Sequence, residues 1–185
     1  MSIVNTLSLE SNRQIKINFD GGDLSSDAGL LLIKEFVSKI GIDRLFSHSF
    51  KTNDSAAFRY HTDKENLLQM IYMIIAGYFE DDASDELTND PVFKAVLDKE
   101  ALASQPTISR FHNRLDEDSL NQFLSISRIL RKEIYSIQMP ESVILDLDST
   151  LLDAYGRQEG RAFNFHYQSN GYHPLVCYDG ITGDL

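Results

Sequence analysis

The chain has 185 residues, 42% of them hydrophobic and 24% charged, which suits one or two globular domains with a real core and excludes a disordered tail. Its formal net charge of −11 weighs against nucleic-acid binding, which draws most of its affinity from Lys and Arg facing phosphate. Met1-Ser2-Ile3-Val4 lacks a basic stretch followed by an apolar run, so no signal peptide is read there. The longest mostly apolar stretch, Leu67 to Tyr78, is interrupted by Gln69 and falls far short of the ~20 residues of a membrane span. A buried helix is expected instead, with no membrane partner. Cys177 is the single cysteine and sits in the apolar run Pro174 to Tyr178, which points to a small core residue and a cytoplasmic location.

Charge is unevenly spread. Glu80, Asp81, Asp82, Asp85, Glu86 and Asp90 lie together with no Lys or Arg among them, whereas Arg110, Arg114, Arg128, Arg131 and Lys132 cluster further on. A local basic face is compatible with the negative total. The acidic run lacks a calcium-loop spacing and reads as a solvated loop or helix face. His48, His61, His112, His166 and His173 are too scattered for a zinc site.

In chain order, alternation over Gln14 to Phe19 predicts a short strand, broken by Gly21-Gly22. Ser25 and Ser26 can cap a helix carrying Leu30, Leu31, Ile33, Phe36, Val37 and Ile40, stopped by Gly41, with a short helix around Ile42 to Phe46 after it. Thr62-Asp63-Lys64-Glu65 has the form of a capping box and starts the apolar helix to about Gly77. Asp90-Pro91 supplies a cap followed by a first-turn proline. Gln105-Pro106 does the same with a poorer cap, for a helix through Thr107, Ile108, Phe111 and Leu115. A longer amphipathic helix spans about Ser119 to Ile137, with Leu120, Phe123, Leu124, Ile126, Ile129, Leu130 and Ile134 apolar. After Pro140 strands are expected at Val143 to Leu147 and Tyr172 to Tyr178. The turn Asp179 to Gly183 then opens a hairpin return. The chain stops at Leu185, where a partner strand is expected, so the sheet reads as unfinished.

The residues with chemistry are Val143-Ile144-Leu145-Asp146-Leu147-Asp148-Ser149-Thr150. Alternation puts Val143, Leu145 and Leu147 on one face and Ile144, Asp146 and Asp148 on the other. Two carboxylates so spaced lie roughly 6.6 Å apart at the backbone, close enough to address one divalent metal. A merely solvated outer face is the plain alternative, but Asp is depleted in strands and a pair needs a reason.

Two families place Asp here. Asp146-Leu147-Asp148-Ser149-Thr150 matches the Asp-x-Asp-x-Thr of haloacid-dehalogenase-like phosphatases, with Asp146 as nucleophile and Asp148 as general acid/base. Asp148-Ser149-Thr150 equally resembles the end of the first strand of a DDE transposase. The phosphatase motif normally opens its domain, whereas here a long helical stretch precedes it. That stretch resembles bacterial insertion-sequence transposases of the family numbered thirteen-eighty. The likeness runs in order through Ser25-Ser26-Asp27-Ala28-Gly29-Leu30-Leu31-Leu32, Ile75-Ala76-Gly77-Tyr78-Phe79-Glu80-Asp81 with Asp85, and Asn89-Asp90-Pro91. It continues through Ser104 to Leu115, Leu145 to Thr150, and Gly171-Tyr172-His173-Pro174-Leu175 with Asp179-Gly180 and Thr182-Gly183.

The resemblance implies an α+β chain: a helical, candidate DNA-binding domain over 1–138, then the first strands of a ribonuclease-H-like mixed sheet over 139–185, truncated. It implies transposition, the metal-dependent cleavage and transfer of DNA strands at transposon ends. In the complete enzyme three carboxylates would hold two Mg²⁺ or Mn²⁺ ions roughly 4 Å apart, and a homo-oligomer is compatible with it. The family's second catalytic Asp and its Glu lie downstream of this chain, so the carry-over reaches Asp148, with Asp146 as the alternate, and activity of this chain alone is not expected. The helix from Pro106 resembles the second helix of a helix-turn-helix. In it Thr107 and Ser109 face phosphate and Arg110, His112, Asn113 and Arg114 reach base edges. An ordinary solvated helix face is the competing reading.

Overall fold

The structure is a computed structural model that describes residues 6–21, 25–56 and 58–183. Met1 to Val4, the strand breaker Gly22 and the chain end at Leu185 lie outside the described residues. Two compact units are formed, residues 1–131 and 132–185. The chain is mixed α and β, and among the described residues every strand pairing is antiparallel. None of the described helices is long and apolar enough to cross a membrane.

The first unit opens with a hairpin of β1 (Thr6–Ser8) and β2 (Lys16–Asn18), with Leu7 opposite Ile17. The strand expected over Gln14 to Phe19 is therefore shorter. Its partner β1 holds a single apolar residue in three, too little for a period to show.

Helix α1 (Leu30–Ile40) buries Leu30, Leu31 and Val37 but leaves Phe36 and Ile40 exposed. Its expected serine cap is absent: Gly29 is the N-cap, and the Ser25 hydroxyl accepts from the Asp27 N–H instead. Gly41, at φ 71°, ends α1 and leads into α2 (Ile42–Ser49), longer than expected. Only a residue without a Cβ adopts that backbone cheaply.

Helix α3 (Asp63–Ala76) has the full reciprocal capping box of Thr62 and Glu65 and stops at Gly77. The polar interruption in its apolar face is a buried clamp. The Gln69 carboxamide donates to the Ala103 C=O and accepts from the Ala103 N–H, both at 2.8 Å. A segment with no ladder partner thus has its backbone groups satisfied. Short α4 (Ala83–Leu87) follows, then α5 (Pro91–Leu97), whose Asp90 cap accepts from the Val92 and Phe93 N–H groups.

Helix α6 (Gln105–His112) starts one residue earlier than expected, with Ser104 as N-cap and Gln105 inside the helix. Phe111 and Ile108 are wholly buried against this core, and Phe50 stacks on Phe123 at 4.7 Å. Helix α7 (Glu117–Ile137) runs from the first unit into the second. Of its expected apolar positions Ile126 is buried and Phe123 and Leu130 pack partly, while Leu120, Leu124, Ile129 and Ile134 are exposed.

In the second unit β3 (Leu145–Ser149) pairs with β7 (Leu175–Asp179). Between them β4 (Leu152–Asp153), β5 (Ala162–Asn164) and β6 (Ser169–Tyr172) form a three-stranded arm in the order β4-β6-β5. The single strand expected over Tyr172 to Tyr178 is split at His173-Pro174. Proline has no N–H to give a ladder, and its C=O accepts from the Thr150 N–H.

Candidate catalytic carboxylates and nucleic-acid face

The strand Leu-Asp-Leu-Asp-Ser owes its shape to period-two alternation, and its pairing with β7 fixes what each face carries. Asp146 lies opposite Tyr178 and Asp148 opposite Val176, so both aspartates share one face of the ribbon. Leu145 and Leu147 share the other with Asp179 and Cys177. Asp146 and Asp148 are exposed, and one Asp148 oxygen accepts the Ser149 N–H at 2.8 Å. That bond fixes the Asp148 carboxylate and leaves its other oxygen to solvent. Cys177, expected in the core, is exposed.

Asp179 is the carboxylate whose role the sequence conceals. It closes the turn after β7, accepting from the Ile181 N–H at 3.1 Å, the Thr182 hydroxyl at 2.8 Å and the Ile144 N–H at 3.2 Å. The bonds from Ile181 and Thr182 hold its carboxyl below the usual range. It belongs to the opposite ribbon face from Asp146, and it is a structural acid.

The pair suits a hard divalent cation by donor type but not by number. Among the described residues no three of His, Cys, Asp and Glu come together to hold a metal ion. Mg²⁺ held by one or two carboxylates keeps several waters and relies on substrate phosphate for further ligands.

In the first unit α6 presents Arg110, His112 and Asn113 to solvent, the last of these as the C-cap, while Thr107 and Ser109 are half-buried. The Arg110 guanidinium donates to the Thr107 hydroxyl at 3.2 Å, a bond that aligns both side chains on one face. Arg114 is engaged elsewhere. Its guanidinium donates to Asp63 at 3.0 Å, to the Thr52 hydroxyl at 3.3 Å and to the Arg110 C=O at 3.1 Å, and lies 3.3 Å from Asp54. Its side chain is 15% exposed. Burial alone would raise the pKa of Asp63, but the bonds from Thr52 and Arg114 outweigh it and hold the carboxyl below its usual range.

The acidic run is more than a solvated face. Asp85 accepts the Gln105 N–H at 2.9 Å and Asp81 accepts the Gln105 carboxamide at 3.0 Å. Carboxylates therefore occupy the positive end of α6, where a phosphate would otherwise be favoured. The link from α5 to α6, residues 98–104, also exceeds the roughly three- to four-residue turn of a helix-turn-helix.

The family model described as "Transposase DDE domain group 1" matches residues 7–185. The chain belongs to this DDE transposase family. No curated protein and no solved structure matches it. Membership makes DNA the substrate class and transposition the process, and the phosphatase reading of Asp146 to Thr150 gains no support. Such transposases typically use divalent metal, which agrees with the donor type on β3.

Proposed function

We propose that this DDE transposase chain contributes the first-strand carboxylate of the catalytic centre through Asp148, with Asp146 as the alternate, and binds transposon-end DNA through the exposed face of α6. The observation that carries the first part is the pairing of β3 with β7, which sets two exposed carboxylates on one face within the span matched by the family. Residues 139–185 are read as the start of a ribonuclease-H-like catalytic domain and residues 1–138 as the helical DNA-binding domain, the whole being of insertion-sequence type. Asp148 and Asp146 would hold Mg²⁺ or Mn²⁺ together with carboxylates supplied from outside the described residues. When bound, the metal supplies Lewis acidity at the scissile phosphate. The role of Asp148 itself is to present an oriented oxygen, and the Ser149 N–H provides the orientation.

On α6 the candidates narrow to Arg110, His112 and Asn113, with Thr107 supporting Arg110 and Ser109 half-buried. Arg114 takes a structural part. DNA binding is tested by a low-salt gel shift with a labelled transposon end, comparing wild type with Arg110→Ala. A loss of affinity with steep salt dependence is expected. Equal binding by the two proteins would remove α6 from the interface. A homo-oligomer fits a reaction on two transposon ends and is read directly by sedimentation of the protein with and without end DNA.

A further inference from the structure

The arm formed by β4, β6 and β5 carries aromatic rings where a folded surface usually hides them. Tyr155 is 84% exposed and Phe165 is 82% exposed, with Phe163 exposed beside them. Phe165 stands in a turn ordered by its own hydrogen bonds. The Asn164 carboxamide oxygen accepts the N–H groups of His166 at 2.8 Å and Tyr167 at 3.3 Å, and Gln168 takes a left-handed φ of 54°. Phe163 meets Phe165 edge-on at 5.1 Å. The ring at the tip is therefore held outward by a built turn.

The base of that turn is tied to the strand of the carboxylates. Tyr167 stacks on His173 at 5.7 Å with the rings nearly parallel, and its hydroxyl donates to the Ser149 C=O at 3.0 Å. Ser149 follows Asp148 directly in β3. Charge distinguishes the arm from the rest of the chain. From β4 to β6, residues 152–172 hold two arginines, Arg157 and Arg161, against two acids, Asp153 and Glu159, so the arm is neutral in a chain whose net charge is −11, and Asp153 accepts from the Ser169 hydroxyl. Among the described residues neither guanidinium is in an ion pair, and Arg157 is exposed.

Outward aromatic rings interleaved with arginine match what unpaired nucleic-acid bases require, since each base offers a π-face for stacking and each linkage a phosphate. An apolar ring at an ordered tip is also the side chain that wedges between base steps. A purely apolar partner would have no use for the arginines. We propose that this arm binds unpaired DNA bases next to Asp148, with Phe165 and Tyr155 as stacking rings and Arg157 on the backbone phosphate. The proposal rests on DNA as the partner but not on α6.

Fluorescence anisotropy of the whole 185-residue chain with a labelled oligothymidylate at low salt tests it. Phe165→Ala and Tyr155→Ala replace exposed rings and leave the fold intact by circular dichroism. Each weakens single-strand binding by roughly five- to 150-fold, the loss of one base–aromatic stack. Duplex-end binding by the same variants stays at the wild-type value, while Arg110→Ala weakens the duplex alone, so failure at one surface is distinguishable from failure at the other. Wild-type chain that ignores the oligothymidylate, or variants that bind it as tightly as wild type, overturn the proposal. Concentration-dependent self-association lost in Phe165→Ala with unchanged oligonucleotide affinity would assign the arm to a second copy and overturn it equally.

Discussion

Replacing Arg114 with alanine separates a DNA contact from a structural clamp. The guanidinium gives one bond to a carboxylate, at 3.0 Å to Asp63, and lies 3.3 Å from the Asp54 carboxylate. It also reaches the Thr52 hydroxyl and the Arg110 C=O. A hydrogen bond to a charged group contributes about 1.5–3 kcal/mol, and removing one partner leaves the other to bear its desolvation. Asp63 keeps its bonds from Thr52 and part of its access to water, and Asp54 keeps its pair with Arg59, so the low end applies once, for about 1.5–2 kcal/mol in all. The pH dependence follows from the depressed carboxyl of Asp63. Its contribution is present above the unfolded value of about 3.9 and is lost as pH falls through the lower folded value. Arg114→Ala therefore loses stability at neutral pH and shows a shallower acid decline below about pH 4 than wild type. Urea unfolding followed by circular dichroism at neutral pH and at acidic pH reads both effects. A variant with wild-type stability and weakened DNA binding would refute the clamp and return Arg114 to the interface.

Arg110→Ala is the opposite case, with stability within about 0.5 kcal/mol of wild type and DNA affinity lower by about 1–3 kcal/mol, read by unfolding and gel shift. Gln69→Leu leaves the buried N–H and C=O of Ala103 without partners and should cost about 2–5 kcal/mol in urea unfolding; a neutral result would mean that the residues 98–104 link rearranges. Asp90→Ala removes the acceptor of two N–H groups at the start of α5 and should cost about 1 kcal/mol by thermal unfolding. Gly171→Ala sets a Cβ against the Leu152 carbonyl and should destabilise the arm by about 1–3 kcal/mol, seen as faster amide exchange in β4, β6 and β5.

Local signals were legible in the residues, and long-range ones were not. The Thr62–Glu65 box, Asp90-Pro91 and the glycines at 41 and 77 each act within one helical turn, so their residue types announce them. The β3 alternation likewise shows the shared face of Asp146 and Asp148. What escapes is pairing across the chain. At the start of a helix some 20 residues on, Asp85 takes the Gln105 N–H and Asp81 its carboxamide, Gln69 serves a loop 34 residues away, and Arg114 reaches back to Asp63. Composition makes the first pair a solvated acidic face, and the likeness of α6 to a helix-turn-helix makes Arg114 a DNA contact. The exposure of Leu120, Leu124 and Ile134 on α7 escapes for the same reason, because periodicity reports an apolar face without reporting what covers it.

The most direct test of the role of Asp148 uses purified chain, Mn²⁺ and a labelled transposon end, with a family transposase carrying the full carboxylate set alongside. Among the described residues no three potential ligands converge, at β3 or elsewhere, so no nicking by these 185 residues is expected. A family transposase that carries the full carboxylate set should nick and should lose that activity when its first-strand aspartate is replaced by alanine. Nicking by the 185-residue chain that disappears in Asp148→Ala would contradict this, because a whole catalytic centre would then lie within it.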